Sequence, residues 1–230
     1  MVDNLARIFA AAVAPDPARP LLTWYDDGTG ERTELSGATL SNWVAKTANL
    51  LVDSVGLAPG DEIGVLLPAH WQTAAVLLGC WSAGGAVTTG PARPVEAVFA
   101  AADRTAEAAG WPAGERYALA LAPMAAPLRD VPAGFADYVV EVRGHGDHFT
   151  PGPAGGPGDP ELIGRAGRRA AEFGLGPGDR VLIDAGRHPD PVDWLLAPLV
   201  AGASVVLCGR LDPARLSDRL TTERVTVNLA

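Results

Sequence analysis

The chain has 230 residues, 48% hydrophobic and 20% charged, enough apolar material for one large α/β domain or two smaller lobes. A formal net charge of −9, with only 18 Lys and Arg scattered along the sequence, excludes a general nucleic-acid surface, because neutralising phosphates needs clustered cations. Cys80 and Cys208 lie in apolar segments without metal-ligand spacing and read as buried reduced thiols, which fits a cytoplasmic protein. The amino terminus lacks the basic flank and small-residue cleavage site of a secretory signal, so export is not expected.

In chain order, Asn4 to Val13 has helical spacing, with Leu5, Ile8, Phe9 and Ala12 on one face and Asp3 available as N-cap. Leu21 to Tyr25 reads as a strand, Asp26 to Gly30 as a turn, and Arg32 to Leu35 as the returning strand of a hairpin. Ser36 or Thr39 caps the next helix, which runs from about Leu40 to Val55 and is closed by Gly56. The turn Leu57-Ala58-Pro59-Gly60-Asp61 then delivers a strand over Ile63 to Leu67, a helix over Trp71 to Ala83 and a strand from Ala86, a β-α-β unit. Ile63 to Ala92 carries no Asp, Glu, Lys or Arg, but Pro68, His70, Gln72 and Gly84-Gly85 interrupt it, so buried elements and not a membrane span are expected.

The same statement recurs 118 positions later, from 57 to 175. Leu175-Gly176-Pro177-Gly178-Asp179 repeats the turn, Val181 to Ile183 the strand, and Ala201-Gly202 the pair Ala83-Gly84, in unbroken register. Between the copies, Tyr117 to Leu121 and Tyr138 to Val142 read as short strands. Residues 150–160, with four Pro and four Gly, form the clearest linker. The division expected is a first α/β lobe over 1–149, a linker over 150–160 and a second lobe over 161–230.

The amino-terminal helix, the Asp-Gly hairpin, Thr33-Glu34-Leu35, the Gly-Leu-x-Pro-Gly-Asp turn and the Ala-Gly strand together resemble the N-terminal portion of the adenylate-forming (AMP-binding, acyl-CoA synthetase-like) superfamily. The similarity runs in order over residues 3–95 and again over 161–208, and by size it points to a small bacterial family distantly similar to AMP-binding enzymes. It implies an α/β fold of two β-α-β lobes with related topology. It also implies that residues 149–159 stand where the superfamily has a Ser/Thr/Gly-rich loop ending in Pro-Lys that holds ATP phosphates. Here that place offers one hydroxyl, Thr150, no lysine, the glycines Gly152, Gly155 and Gly156, several prolines without amide protons, and Asp159. The chain stops at Ala230, before the superfamily's adenine and ribose contacts and its catalytic lysine.

The leading expectation is therefore a non-catalytic relative, with no catalytic residue and no cofactor, binding an acyl, nucleotide or protein partner between its lobes. The alternatives are an acyl-CoA synthetase-like enzyme completed by a partner chain, for which ATP, AMP and Mg would matter, and a purely structural interaction protein. Arg187 and His188, after the second-lobe strand, are candidate ligand contacts, because α/β sheets bind ligands at the carboxyl ends of their strands; His70 holds the equivalent place in the first copy. Asp61 and Asp179 read as turn-capping carboxylates. His145, Asp147 and His148 supply no fourth ligand, so no metal is expected. Trp43, Trp71, Trp81 and Trp194 are expected core anchors. No Gly-x-Ser-x-Gly elbow supports hydrolase chemistry.

Overall fold

The structure is a computed structural model, and it describes residues 4–152 and 155–230. Asp3, the expected N-cap of the first helix, lies outside the described residues. Asn4 performs the capping in α1 (Leu5–Val13), its side-chain oxygen accepting the N–H of Ala6 at 2.8 Å.

The hairpin forms as expected, β1 (Pro20–Asp26) pairing antiparallel with β2 (Glu31–Ser36). The Ser36 hydroxyl accepts the Thr39 N–H at 3.1 Å at the start of α2 (Gly37–Asn49). That helix runs into a π-helical turn, Leu50–Val55, which Gly56 ends in the left-handed conformation. Next come β3 (Glu62–Leu66), α3 (Trp71–Ser82), β4 (Ala86–Thr88), β5 (Val95–Ala101), a short α4 (Thr105–Ala108), β6 (Ala113–Leu119) and β7 (Ala136–Asp137).

The stretch from Tyr138 to Val142 is helical, α5 (Tyr138–Arg143), and not the strand its β-branched run suggests. Asp137 decides this locally by accepting the N–H groups of Val139 and Val140 at 2.8 and 3.2 Å. Burial of Tyr138, Val139 and Val142 then satisfies helical spacing. The remaining elements are α6 (Asp159–Glu172), β8 (Arg180–Asp184), a π turn at Val192–Leu196, α7 (Ala197–Ala201), β9 (Ser204–Gly209), α8 (Pro213–Thr222) and β10 (Val227–Leu229).

The strands make two five-stranded sheets. One has the order β10-β8-β9-β1-β2, parallel except for β2; the other is β4-β3-β5-β6-β7, parallel throughout. The first compact unit contains the residues up to Leu40, Ala69–Ala74 and Pro160–Ala230; the second contains Ser41–Pro68 and Ala75–Asp159. The strands are thus shared in a way that serial lobes of 1–149 and 161–230 do not describe: β1 hydrogen-bonds to β9, which carries the first forty residues into the sheet built by the last seventy. Pairing between strands nearly two hundred residues apart leaves no local trace for a sequence reading to detect.

The repeat itself persists to individual hydrogen bonds. Asp61 Oδ2 accepts the Ala58 N–H at 2.7 Å, and Asp179 Oδ2 accepts the Gly176 N–H at 2.7 Å. Gly60 N–H donates to Gly84 O at 2.9 Å and Gly178 N–H to Gly202 O at 3.1 Å. Strand registers agree as well, Glu62 facing Ala86 and Arg180 facing Ser204.

The second unit's core stacks Phe99 on Tyr117 and sets Tyr138 edge-on to Phe99, while the Tyr138 hydroxyl lies 2.7 Å from that of Thr47. The first unit buries Trp24, Trp194, Ile183 and Leu207. Trp71, Trp81 and Trp194 are buried as expected; Trp43 is half-buried. Cys80 and Cys208 are buried free thiols. Among the described residues no helix is long and apolar enough to cross a membrane.

Gly178 has φ of 88° with open space where a Cβ would go, so Gly178→Ala costs only backbone strain, about 1–2 kcal/mol. Gly158, with equal space and no positive φ, is expected to accept alanine within about 0.5 kcal/mol. Urea unfolding followed by circular dichroism checks both, and equal losses would contradict the assigned role of the turn.

Candidate functional site

Three groups of residues qualify from the sequence, two in the second unit and one in the first. In the second unit, Thr150 and Gly152 are exposed, Gly155 is half-buried and Gly156 is buried. A Cβ at Gly156 would lie 3.1 Å from the Gly85 carbonyl oxygen, 3.2 Å from Asp159 Oδ1 and 3.4 Å from the Gly84 carbonyl oxygen. Gly156 therefore allows close backbone packing, and the three atoms nearest that position are acceptors. Its own carbonyl receives the Asp159 N–H at 3.0 Å, where α6 begins. A phosphate cradle requires N–H donors and cations in this place. The carbonyl oxygens of Gly84 and Gly85 and the Asp159 carboxylate are acceptors and offer no donor to a phosphate.

The chain contains a single lysine, Lys46 on α2. It is half-buried, and its ammonium donates to the carbonyl of His145. The loop carrying His145, Asp147 and His148 is also held by Asn49, whose amide donates to the carbonyls of Gly146 and His148 at 2.8 and 2.9 Å. Among the described residues no group of three His, Cys, Asp or Glu side chains could hold a metal ion.

In the first unit, Arg187 and His188 follow the carboxyl end of β8 but do not converge. Arg187 is largely exposed and donates to the carbonyl of Ala230 at 2.6 Å. His188 turns edge-on to Phe173, ring centroids 5.4 Å apart, with Nδ1 at 3.4 Å from Asp193. Burial alone would raise the Asp193 carboxyl, but hydrogen bonds from Arg169 and His188 outweigh it and hold the group below the usual carboxylate range.

His70, the counterpart of His188 at the repeat offset, is fully buried. Trp24 meets it edge-on at 4.7 Å and Trp71 lies 5.7 Å away. Its Nδ1 accepts the Gln72 N–H at 3.1 Å, which leaves the proton on Nε2. That Nε2 and both side-chain amide atoms of Gln72 are buried without a hydrogen-bond partner among the described residues. Burial lowers the imidazole to about 3, opposed only in part by Asp26.

Sequence reasoning missed a further cluster in the first unit, where Arg19, Arg32, Arg180 and Arg224 line one pocket. Their positions span two hundred residues, and no motif links them.

The two largely parallel sheets with paired β-α-β turns define the class: an α/β fold like that of the adenylate-forming enzymes' N-terminal domain. The Crystal structure of the Brucella canis acyl-CoA synthetase matches 98% of this chain at a TM-score of 0.76 and 19% identity. The family model of AMP-binding enzymes matches residues 9–103. The mitochondrial acyl-coenzyme A synthetase ACSM2 of Rattus norvegicus is 33% identical over 85 residues, 36% of this chain and 14% of that protein. The TIGR03089 family protein of Mycobacterium tuberculosis is 45% identical over 226 residues, covering 92% of this chain and 91% of its own length. The chain belongs to the TIGR03089 family. It spans 46% of the Brucella canis enzyme, so it corresponds to less than half of that relative.

In the unfolded chain His70 protonates near pH 6.5, but in the fold only near pH 3. Between these values the unfolded state binds more protons. The stability present above pH 6.5 is thus lost as pH falls towards 3, at up to about 1.4 kcal/mol per pH unit. Urea midpoints at about pH 7 and about pH 5 are expected to separate more in the wild type than in His70→Gln; equal separations would contradict the assignment.

Proposed function

We propose that this protein is a non-catalytic relative of the acyl-CoA synthetases, acting in the cytoplasm as a binding module for an acyl, nucleotide or protein partner. The observation that carries this reading is the removal of cationic chemistry from a retained scaffold. Adenylation proceeds by stabilising charge on a transferring phosphoryl centre, which requires preorganised donors and cations. The segment from Phe149 to Asp159 has neither lysine nor arginine, and the one lysine of the sequence is held by a backbone carbonyl. The Gly156 surroundings support the same reading, since they present oxygen atoms. Arg187 and His188 remain candidate ligand contacts, Thr150, Gly152, Gly155 and Gly156 mark a degenerate phosphate-loop position, and the burial of His70 favours a packing role for it.

Calorimetric titration with ATP, AMP and acyl-CoA, run beside an ATP–pyrophosphate exchange assay with fatty acids, tests the proposal. The expected result is no exchange, and ATP affinity weaker than about 1 mM. Exchange above background by the chain alone would overturn it.

A second reading is favoured by one finding, that the fold match takes in nearly all of this chain and under half of the Brucella canis enzyme. Under it a partner polypeptide supplies the missing lysine chemistry, and ATP, AMP and magnesium are cofactors of the assembly. It predicts a co-purifying chain whose addition starts pyrophosphate exchange.

A further inference from the structure

At the amino-terminal edge of the first unit's parallel strands, Arg19 precedes β1, Gly178 precedes β8, and Ser204 opens β9. Together with the end of α8 they line an open pocket of about 580 Å³. Its charged lining consists of four guanidinium groups, on Arg19, Arg32, Arg180 and Arg224, and two carboxylates, on Glu34 and Glu223. Such a surplus is conspicuous in a chain of net charge −9.

The two carboxylates are already committed. Glu223 is buried and accepts from the Tyr25 hydroxyl at 2.5 Å, from Arg32 Nε and Nη2 at 3.1 and 3.0 Å, and from Arg180. Burial alone would raise its carboxyl, and these hydrogen bonds outweigh burial and lower it, so the charge stays on Glu223. Glu34 accepts from Arg32 at 2.6 Å. Arg32 and Arg180 are thereby balanced in charge.

Among the described residues Arg19 and Arg224 have no carboxylate partner. Arg19 reaches two neutral acceptors at long range, Ser204 Oγ at 3.3 Å and the Asp179 carbonyl at 3.5 Å. The carboxylate of Asp179 is turned to the Gly176 N–H and the Thr226 hydroxyl. Arg224 is exposed and follows α8 with φ of 51°, a left-handed position where glycine or asparagine is the usual residue. An arginine there carries backbone strain and opposes the negative end of the helix dipole with a full positive charge.

We infer that this pocket binds a small dianionic oxyanion of the phosphate-ester class, with Arg19 and Arg224 as its cationic contacts and the Glu223 network as the frame that positions the pocket. Planar guanidinium forks match the spacing of phosphate oxygens, and two guanidiniums without a carboxylate partner among the described residues match a dianion. The volume leaves room for a small organic group beyond the phosphate.

Inorganic phosphate, pyrophosphate and malonate are titrated into the full chain by calorimetry. Saturable binding of the two phosphates, at least about tenfold tighter than malonate, is expected. Arg19→Ala and Arg224→Gly are each expected to weaken phosphate binding at least about tenfold, while Arg129→Ala, an exposed arginine of the second unit, leaves it unchanged. Arg224→Gly also relieves the left-handed strain, so its thermal midpoint should hold or rise while binding falls. No saturation below about 10 mM, malonate binding as tightly as phosphate, or equal losses in Arg129→Ala would each overturn the inference.

Discussion

The structure depends on one short interaction made twice: an aspartate at the mouth of a strand accepting the N–H three residues behind it. Asp61 and Asp179 close their turns in this way, with Gly60 and Gly178 supplying the left-handed φ the turn demands. The closure fixes where each strand starts, and the strand start fixes its parallel register against the strand two elements on. Each sheet then has its helix-bearing crossover set by chemistry contained within a few residues.

A scaffold specified so locally can persist while its chemistry changes. In the segment 149–159, Gly156 serves close packing against the Gly84 and Gly85 carbonyls, and the prolines supply no amide donors. The ammonium of Lys46 holds the 145–148 loop against α2. Positive charge has not left the molecule: seventeen of its eighteen cations are arginines, and several are built into ion-pair frames such as Arg219 with Asp27 and Arg180 with Glu223.

What the sequence made legible follows from this. The turns, the hairpin, the capped helices and the 118-residue repeat rest on contacts within a few positions, and they were readable. The helix at Tyr138–Arg143 was misread because β-branched propensity pointed one way while a single cap, Asp137, decided the other. The sharing of strands between sheets was hidden, since β1 and β9 pair across the length of the chain. Of the candidate ligand residues, His70 and His188 share a place in the repeat yet differ in burial, which only packing sets. The arginine pocket had no sequence signal, because Arg19, Arg32, Arg180 and Arg224 are joined solely by the fold.

The most direct trial of the account is a crystal of the protein grown with saturating ATP and magnesium. The account predicts no ordered triphosphate beside residues 149–159, with the Gly156 carbonyl still receiving the Asp159 N–H. Phosphates ordered against that segment, with its backbone rearranged to donate to them, would contradict the claim that this fold has given up its nucleotide cradle.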